Sequence, residues 1–174
     1  GLPAYDNGNR PYSYDPAITR LSPIRVLMVS TSFPETRDDW PGRFIANMAE
    51  ALARRDGVQL SLWAPPGEHS EIIDAATSPE DAEWLRQLLQ AGGIAHLLRA
   101  KPLRGWIAAA GLLRRLRRVY RHCRDVNVIH VNWLQNALPL WCGDQPAVIT
   151  VLGNDFGLLR LPGMVAALRT MLRG

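Results

Sequence analysis

The stretch VLMVSTSFPETRDDWPGRFIANMAEAL, Val26 to Leu52, decides the fold. A greasy run, Ile24 to Ser30, ends in small polar residues. A near-continuous β-branched and aliphatic run of this kind predicts a strand covered on both faces. A long loop with two prolines, Asp38-Asp39 and Gly42 follows. Phe44, Ile45, Met48, Ala49 and Leu52 then recur at helical spacing, and RRDG supplies a C-terminal stop. Many nucleotide-binding units begin as strand, loop and helix. Here the loop lacks both G-x-G-x-x-G and the Gly-Lys-Ser/Thr of a P-loop, which argues against a nicotinamide dehydrogenase and a P-loop NTPase. Two readings of Gly42 stand side by side. It lets a ligand approach the free N–H groups at a helix start, or it only permits a tight turn after Pro41.

Outward from this stretch the pattern repeats. Val58 to Trp63 (VQLSLW) reads as a second strand, and APPGEHS as a turn. Ser78 suits the N-cap of a helix over PEDAEWLRQLLQ, with Pro79 at its first position and Gly92-Gly93 at its end. Ile94 to Leu98 fits either a strand or a helical turn. Leu103 to Arg124 predicts a long basic helix, Val126 to Val131 a strand, WLQNALPLWCG a short helix or loop, and Ala147 to Leu152 another strand. Strands alternating with helices imply an α/β fold, a Rossmann-like open parallel sheet with helices on both faces. Residues 1–22 have no period and read as a tail or linker, and 23–174 as the domain. The chain opens on Gly1, and the closing helical pattern GMVAALRTMLRG runs to its last residue, so a fragment of a longer protein is expected.

Composition narrows the class. Over 174 residues, 47% hydrophobic and 21% charged content fits an ordinary globular domain. Cys123 and Cys142 form no metal or disulfide framework and read as reduced thiols. The longest apolar candidate, WIAAAGLL, stops at Arg114-Arg115, far short of the roughly 20 residues a membrane span needs. Charge is uneven: residues 1–98 hold 8 basic and 13 acidic side chains, residues 99–174 hold 12 and 3. The second half is therefore the candidate for anionic partners.

In parallel sheets ligands bind outside the carboxyl ends of the strands. The loops after Ser30, Val131 and Leu152 are expected to share that rim. His130, near a strand end, suits hydroxyl recognition or proton transfer, or packs as a satisfied core residue. Gly153 permits close approach, and Asp155 either accepts from a hydroxyl or caps the next turn.

Three segments together resemble the N-terminal half of GT-B glycosyltransferases, the family 4 retaining enzymes in particular. The opening stretch through RRDGVQLSLWAPPG is similar to that family's strand, Phe-Pro, loop glycine and second strand. DVNVIHVNW resembles its Asp-Val-Val-His-Ala-His-Trp segment, and PAVITVLGNDF its Pro-Val-Val-Thr-x-His-Gly-Ser-Asp segment. The resemblance implies an acceptor-side domain of an enzyme that moves a sugar from a nucleotide-diphosphate donor to a hydroxyl. A C-terminal donor-binding domain, not contained in this chain, would face it, so the fragment alone is expected to be inactive. Carried over residue by residue, Pro41, Gly42, Arg43 and Gly153 match the diphosphate loops, His130 and Asp155 the catalytic positions, and Asn132, Trp133 and Asn154 the acceptor and sugar contacts. Asn132 stands where a second His is common, and Leu152 where many members have a His on the donor sugar. The resemblance implies no metal and no cofactor beyond the nucleotide-sugar substrate. The alternative is a non-catalytic interaction or regulatory domain of the same architecture.

The basic helix holds nine Lys or Arg between Arg99 and Arg124. Spacing puts Trp106, Ala109, Ala110, Leu113, Leu116 and Tyr120 on one face, read as the packed one, and Arg114, Arg117, Arg118 and Arg121 largely on another. That basic face is either simply solvated or rests on anionic lipid headgroups, which would suit glycan or lipid-linked acceptors and a cytoplasmic protein peripheral to the cell membrane. No basic-aromatic strand platform points to nucleic acid.

Overall fold

A computed structural model describes residues 22–123, 125–142 and 145–151. The tail, Leu152, Gly153, Asn154, Asp155 and the expected closing helix lie outside these. Five strands, β1 (Ile24–Val29), β2 (Val58–Trp63), β3 (Ile73–Ala75), β4 (Val128–Asn132) and β5 (Ala147–Thr150), form one sheet in the order β3-β2-β1-β4-β5. Every pairing is parallel, with Met28 opposite both Leu62 and His130. The helices are α1 (Arg43–Ala53), α2 (Pro79–Gln90), α3 (Gly93–Ala100), α4 (Pro102–His122) and α5 (Leu134–Ala137), the last running into a 3-10 turn, Leu138–Cys142.

Side chains of β1 divide between two cores, as a doubly covered strand requires. Val26 and Met28 join Leu60, Leu62, Ile73 and the Ile45 and Ala49 face of α1. Leu27 and Val29 join Trp63, Ile129 and Val131 under Leu85 of α2 and Leu112, Leu116 and Val119 of α4. Helices therefore cover both faces of an open parallel sheet, the α/β architecture expected from the alternating pattern.

Four local readings are refined. The ambiguous Ile94–Leu98 segment is helical, within α3. β3 was not foreseen: it has three residues, of which only Ile73 is buried. β5 ends at Thr150, two residues short of Leu152. The inward face of α4 is Gly105, Leu112, Leu116, Val119 and Tyr120, whereas Trp106 and Ala110 point to solvent. Gly105 faces inward because α3 crosses there; a Cβ would sit 2.6 Å from the Leu98 backbone.

The start of α2 is as anticipated, with the Ser78 hydroxyl accepting from the Asp81 N–H at 3.2 Å. Asp81 itself is buried and gathers α2, α4 and β2 around one carboxylate. Its Oδ2 accepts from the indole N–H of Trp63 at 3.1 Å and its Oδ1 from Arg118 at 2.6 Å. Arg115 Nε is 3.1 Å from Oδ1, close enough to pair in charge though not aligned to donate. The Arg115 guanidinium also lies 4.3 Å over the Trp84 ring. All four arginines expected on the outer face of α4, Arg114, Arg117, Arg118 and Arg121, are exposed; Arg118 also pairs with Asp81, and Arg115, which spacing did not assign to that face, is buried in the same network.

Candidate functional site

The strand order places a topological switch point between β1 and β4, where the chain leaves the sheet in opposite directions; in open parallel sheets ligands bind at the carboxyl rim of such a point. The loop after β1 forms one side. Ser30 is fully buried, and its hydroxyl accepts from the Ser32 N–H at 3.1 Å and donates to the Ser32 carbonyl at 2.7 Å, turning the chain at once. Farther on, the Asp39 carboxylate accepts from the Thr36 N–H at 2.8 Å. Arg43 donates from Nε to the Asp39 carbonyl at 3.4 Å, so its guanidinium folds back on the loop.

Gly42 has φ +78°, and a Cβ there would lie 2.8 Å from Phe33 Cα. The glycine is required by the backbone and by this contact alone, before any ligand is considered. Gly67 plays the same part from the loop after β2, where a Cβ would come 2.7 Å from the Phe33 ring and meet the Pro34 carbonyl. The two glycines clamp Phe33-Pro34. The N-terminus of α1 carries no side-chain cap. Beside it Trp40 is 87% exposed, Phe44 is exposed too, and Pro41 lies at the surface. Sequence reading passed over Trp40 because a tryptophan in a polar loop has no period to mark it.

The β4 side is polar and buried. Asn132 and Asn136 are both fully buried. Asn136 Nδ2 donates to the Asn132 carbonyl at 2.8 Å, which fixes its amide orientation, and reaches Thr31 Oγ1 at 3.4 Å across the switch point. The main-chain carbonyl of Asn136 in turn accepts from the Tyr120 hydroxyl of α4 at 2.7 Å. Asn132 Nδ2 lies 3.5 Å from the Val29 carbonyl. Trp133 has φ +73° and ψ +126°, a conformation a bulky side chain rarely adopts. Strain of this sort costs about 1–3 kcal/mol and gathers at functional sites.

Among the described residues five buried side-chain polar atoms have no partner, and four of them belong to this segment: Asn132 Oδ1, Trp133 Nε1, Gln135 Oε1 and Asn136 Oδ1. Each such atom costs about 1–3 kcal/mol unless water or a ligand satisfies it. Their clustering makes the switch point the candidate site. Asn136 and Gln135 were not foreseen; only their distance of three and four residues beyond Asn132 signalled them.

His130 sits two residues back from the rim. It is largely buried, and its Nε2 lies 2.9 Å from Thr150 Oγ1 of β5. Burial holds its pKa below the ordinary value of 6.5, keeping the ring neutral. Gly153, Asn154 and Asp155 lie outside the described residues. Burial, then the nearby Asp125 carboxylate, raises the Cys123 thiol pKa, which leaves it a poor nucleophile. Among the described residues no three His, Cys, Asp or Glu side chains gather as a metal would need.

A recess of about 260 Å³ opens at the ends of β2 and β3, between Pro65, Pro66, His69 and Thr77. It is below the roughly 300 Å³ usual for a ligand pocket and has no cluster of unpartnered polar atoms, so the switch point carries more weight. Set against known proteins, the chain matches no family model, no curated protein and no solved structure.

Proposed function

We propose that the chain is the acceptor-side domain of a retaining glycosyltransferase, one wall of a cleft in which a sugar passes from a nucleotide-diphosphate donor to a hydroxyl. The observation that carries this reading is the set of unpartnered atoms on Asn132, Trp133 and Asn136 at the switch point. Two amide oxygens suit hydroxyl donors, and an indole N–H suits a hydroxyl or phosphate oxygen. Trp40 offers a broad aromatic face to a sugar ring. At the start of α1, which has no side-chain cap, the Arg43 and Ile45 N–H groups are spent on the Trp40 and Gly42 carbonyls, so the positive dipole end and the Arg43 side chain are what meet a diphosphate, where charge builds as the sugar departs.

In this reading His130 acts as a positioning residue through Thr150, and Gly153, Asn154 and Asp155 take the places that the resemblance assigns them. A C-terminal donor domain holds most of the nucleotide, and no metal or resident cofactor takes part. Titration of the complete gene product with nucleotide-diphosphate sugars tests the proposal. Binding that falls about tenfold or more in Trp40→Ala or Asn132→Ala, with folding kept, supports it. The second reading, a non-catalytic interaction domain, is favoured by the commitment of His130 to Thr150. A folded protein that binds no nucleotide sugar would favour that reading instead.

A further inference from the structure

The elbow between α3 and α4 leaves large apolar side chains in solvent. Leu103, Trp106 and Ile107 are 75%, 65% and 64% exposed. With exposed Ala110 they recur at steps of three and four, on the side of α4 away from Leu112, Leu116 and Val119. The same stripe continues as Arg114, Arg117 and Arg121, all exposed. Arg99, Lys101 and Arg104 surround the elbow and are exposed as well. No acidic residue occurs anywhere in α4. Among the described residues its ion pairs are made by Arg115 and Arg118, off this stripe.

We propose that this stripe docks on an anionic lipid bilayer. α4, about 30 Å long, lies along the surface. Leu103, Trp106 and Ile107 enter the boundary between headgroups and acyl chains, and Arg114, Arg117 and Arg121 meet lipid phosphates. An interfacial tryptophan beside aliphatic residues, followed by arginines on the same side, matches the layered polarity of that boundary.

Charge separates the bilayer from other occupants. A second copy would bring two arginine stripes together. Residues 1–21 carry Asp6 and Asp15 against Arg10 and Arg20, and so are neutral. Residues 152–174 carry Asp155 against Arg160, Arg169 and Arg173, which gives 3 − 1 = +2 and the sign of the stripe itself. No described helix is long and apolar enough to cross a membrane, so the contact is one of surface docking. The inference stands independently of the sugar-transfer reading.

Sedimentation of the full chain with vesicles tests it. With one part phosphatidylglycerol to two parts phosphatidylcholine the protein pellets, and with phosphatidylcholine alone it stays in solution. Each stripe charge removed lowers partitioning about fivefold, so Arg114→Gln, Arg117→Gln and Arg121→Gln together lower it about a hundredfold. Leu103→Ser with Trp106→Ser lowers it too. Both variants keep the wild-type melting temperature and circular dichroism, since neither alters a buried side chain. Brominated acyl chains quench the wild-type fluorescence, and Trp106→Phe loses that quenching while still pelleting. Equal pelleting of wild type and the triple variant overturns the proposal. So does a stripe that binds polyglutamate but not vesicles, which would make the partner an acidic protein, or a dimer that Trp106→Ser converts to monomer.

Discussion

Phe33 is held between two glycines, and this sets the cost of changing either. Gly42→Ala must place a side chain at φ +78°, which costs about 1–2 kcal/mol, and must also displace the Phe33 backbone. A urea midpoint lowered accordingly, with an unchanged slope, is expected; an unchanged midpoint would contradict the packing account. His130 gives a pH signature. Its folded pKa is depressed by burial, so between that value and 6.5 the unfolded chain binds the extra proton. Stability is complete above pH 6.5 and declines as the pH falls through this window. His130→Gln should flatten that decline in denaturation curves taken across the window. The positions of Gly42 and His130 were legible in the sequence, but their reasons were not. The need for Gly42 comes from Phe33, nine residues earlier in the chain, and the partner of His130 comes from a strand twenty residues later.

The pin between α2, α4 and β2 shows the same limit for whole elements. Four arginines of α4, Arg114, Arg115, Arg117 and Arg118, are close in sequence, and only Arg115 is buried. Asp81 on α2 holds it at 3.1 Å and is reached at 2.6 Å by Arg118 from the exposed side. Removing Asp81 leaves buried Arg115 with only the exposed Glu80 carboxylate and the Trp63 indole N–H with no acceptor, so Asp81→Ala should cost about 3–5 kcal/mol. Chemical denaturation measures it, and a loss below about 1 kcal/mol would show the carboxylate to be expendable. The long strands were legible because β1 is a near-continuous aliphatic run, β2 alternates apolar with polar residues, and β4 is rich in valine and isoleucine. β3 was not, since three residues with one buried side chain leave no period to read. The packed face of α4 was misjudged because its first half is apolar all round; only contact with α3 and the sheet shows that Gly105 faces in and Trp106 out. Trp106 and Ala110, turned to solvent, extend the basic face into the mixed apolar and basic stripe assigned to the bilayer.

For the whole molecule, parallel α/β architecture followed from the alternation of strand and helix patterns. The strand order did not, because it rests on pairings such as Met28 with His130, about a hundred residues apart. That order brings the loop after β1 to the loop after β4 and joins them through Asn136 and Thr31. The site is legible in part: Gly42, Asn132 and Trp133 were marked by resemblance, while Trp40, Gln135 and Asn136 emerged only from exposure and unsatisfied hydrogen bonding. The sugar-transfer cleft and the bilayer stripe concern different elements, so either can fail without the other. The most direct test of the cleft is amide chemical-shift mapping of the complete gene product against a panel of nucleotide-diphosphate sugars. The account predicts that the donor it binds perturbs Gly42, Arg43, Asn132, Trp133 and Asn136 together. Perturbations confined to the recess around Pro66 and Thr77, with the switch point silent, would contradict it.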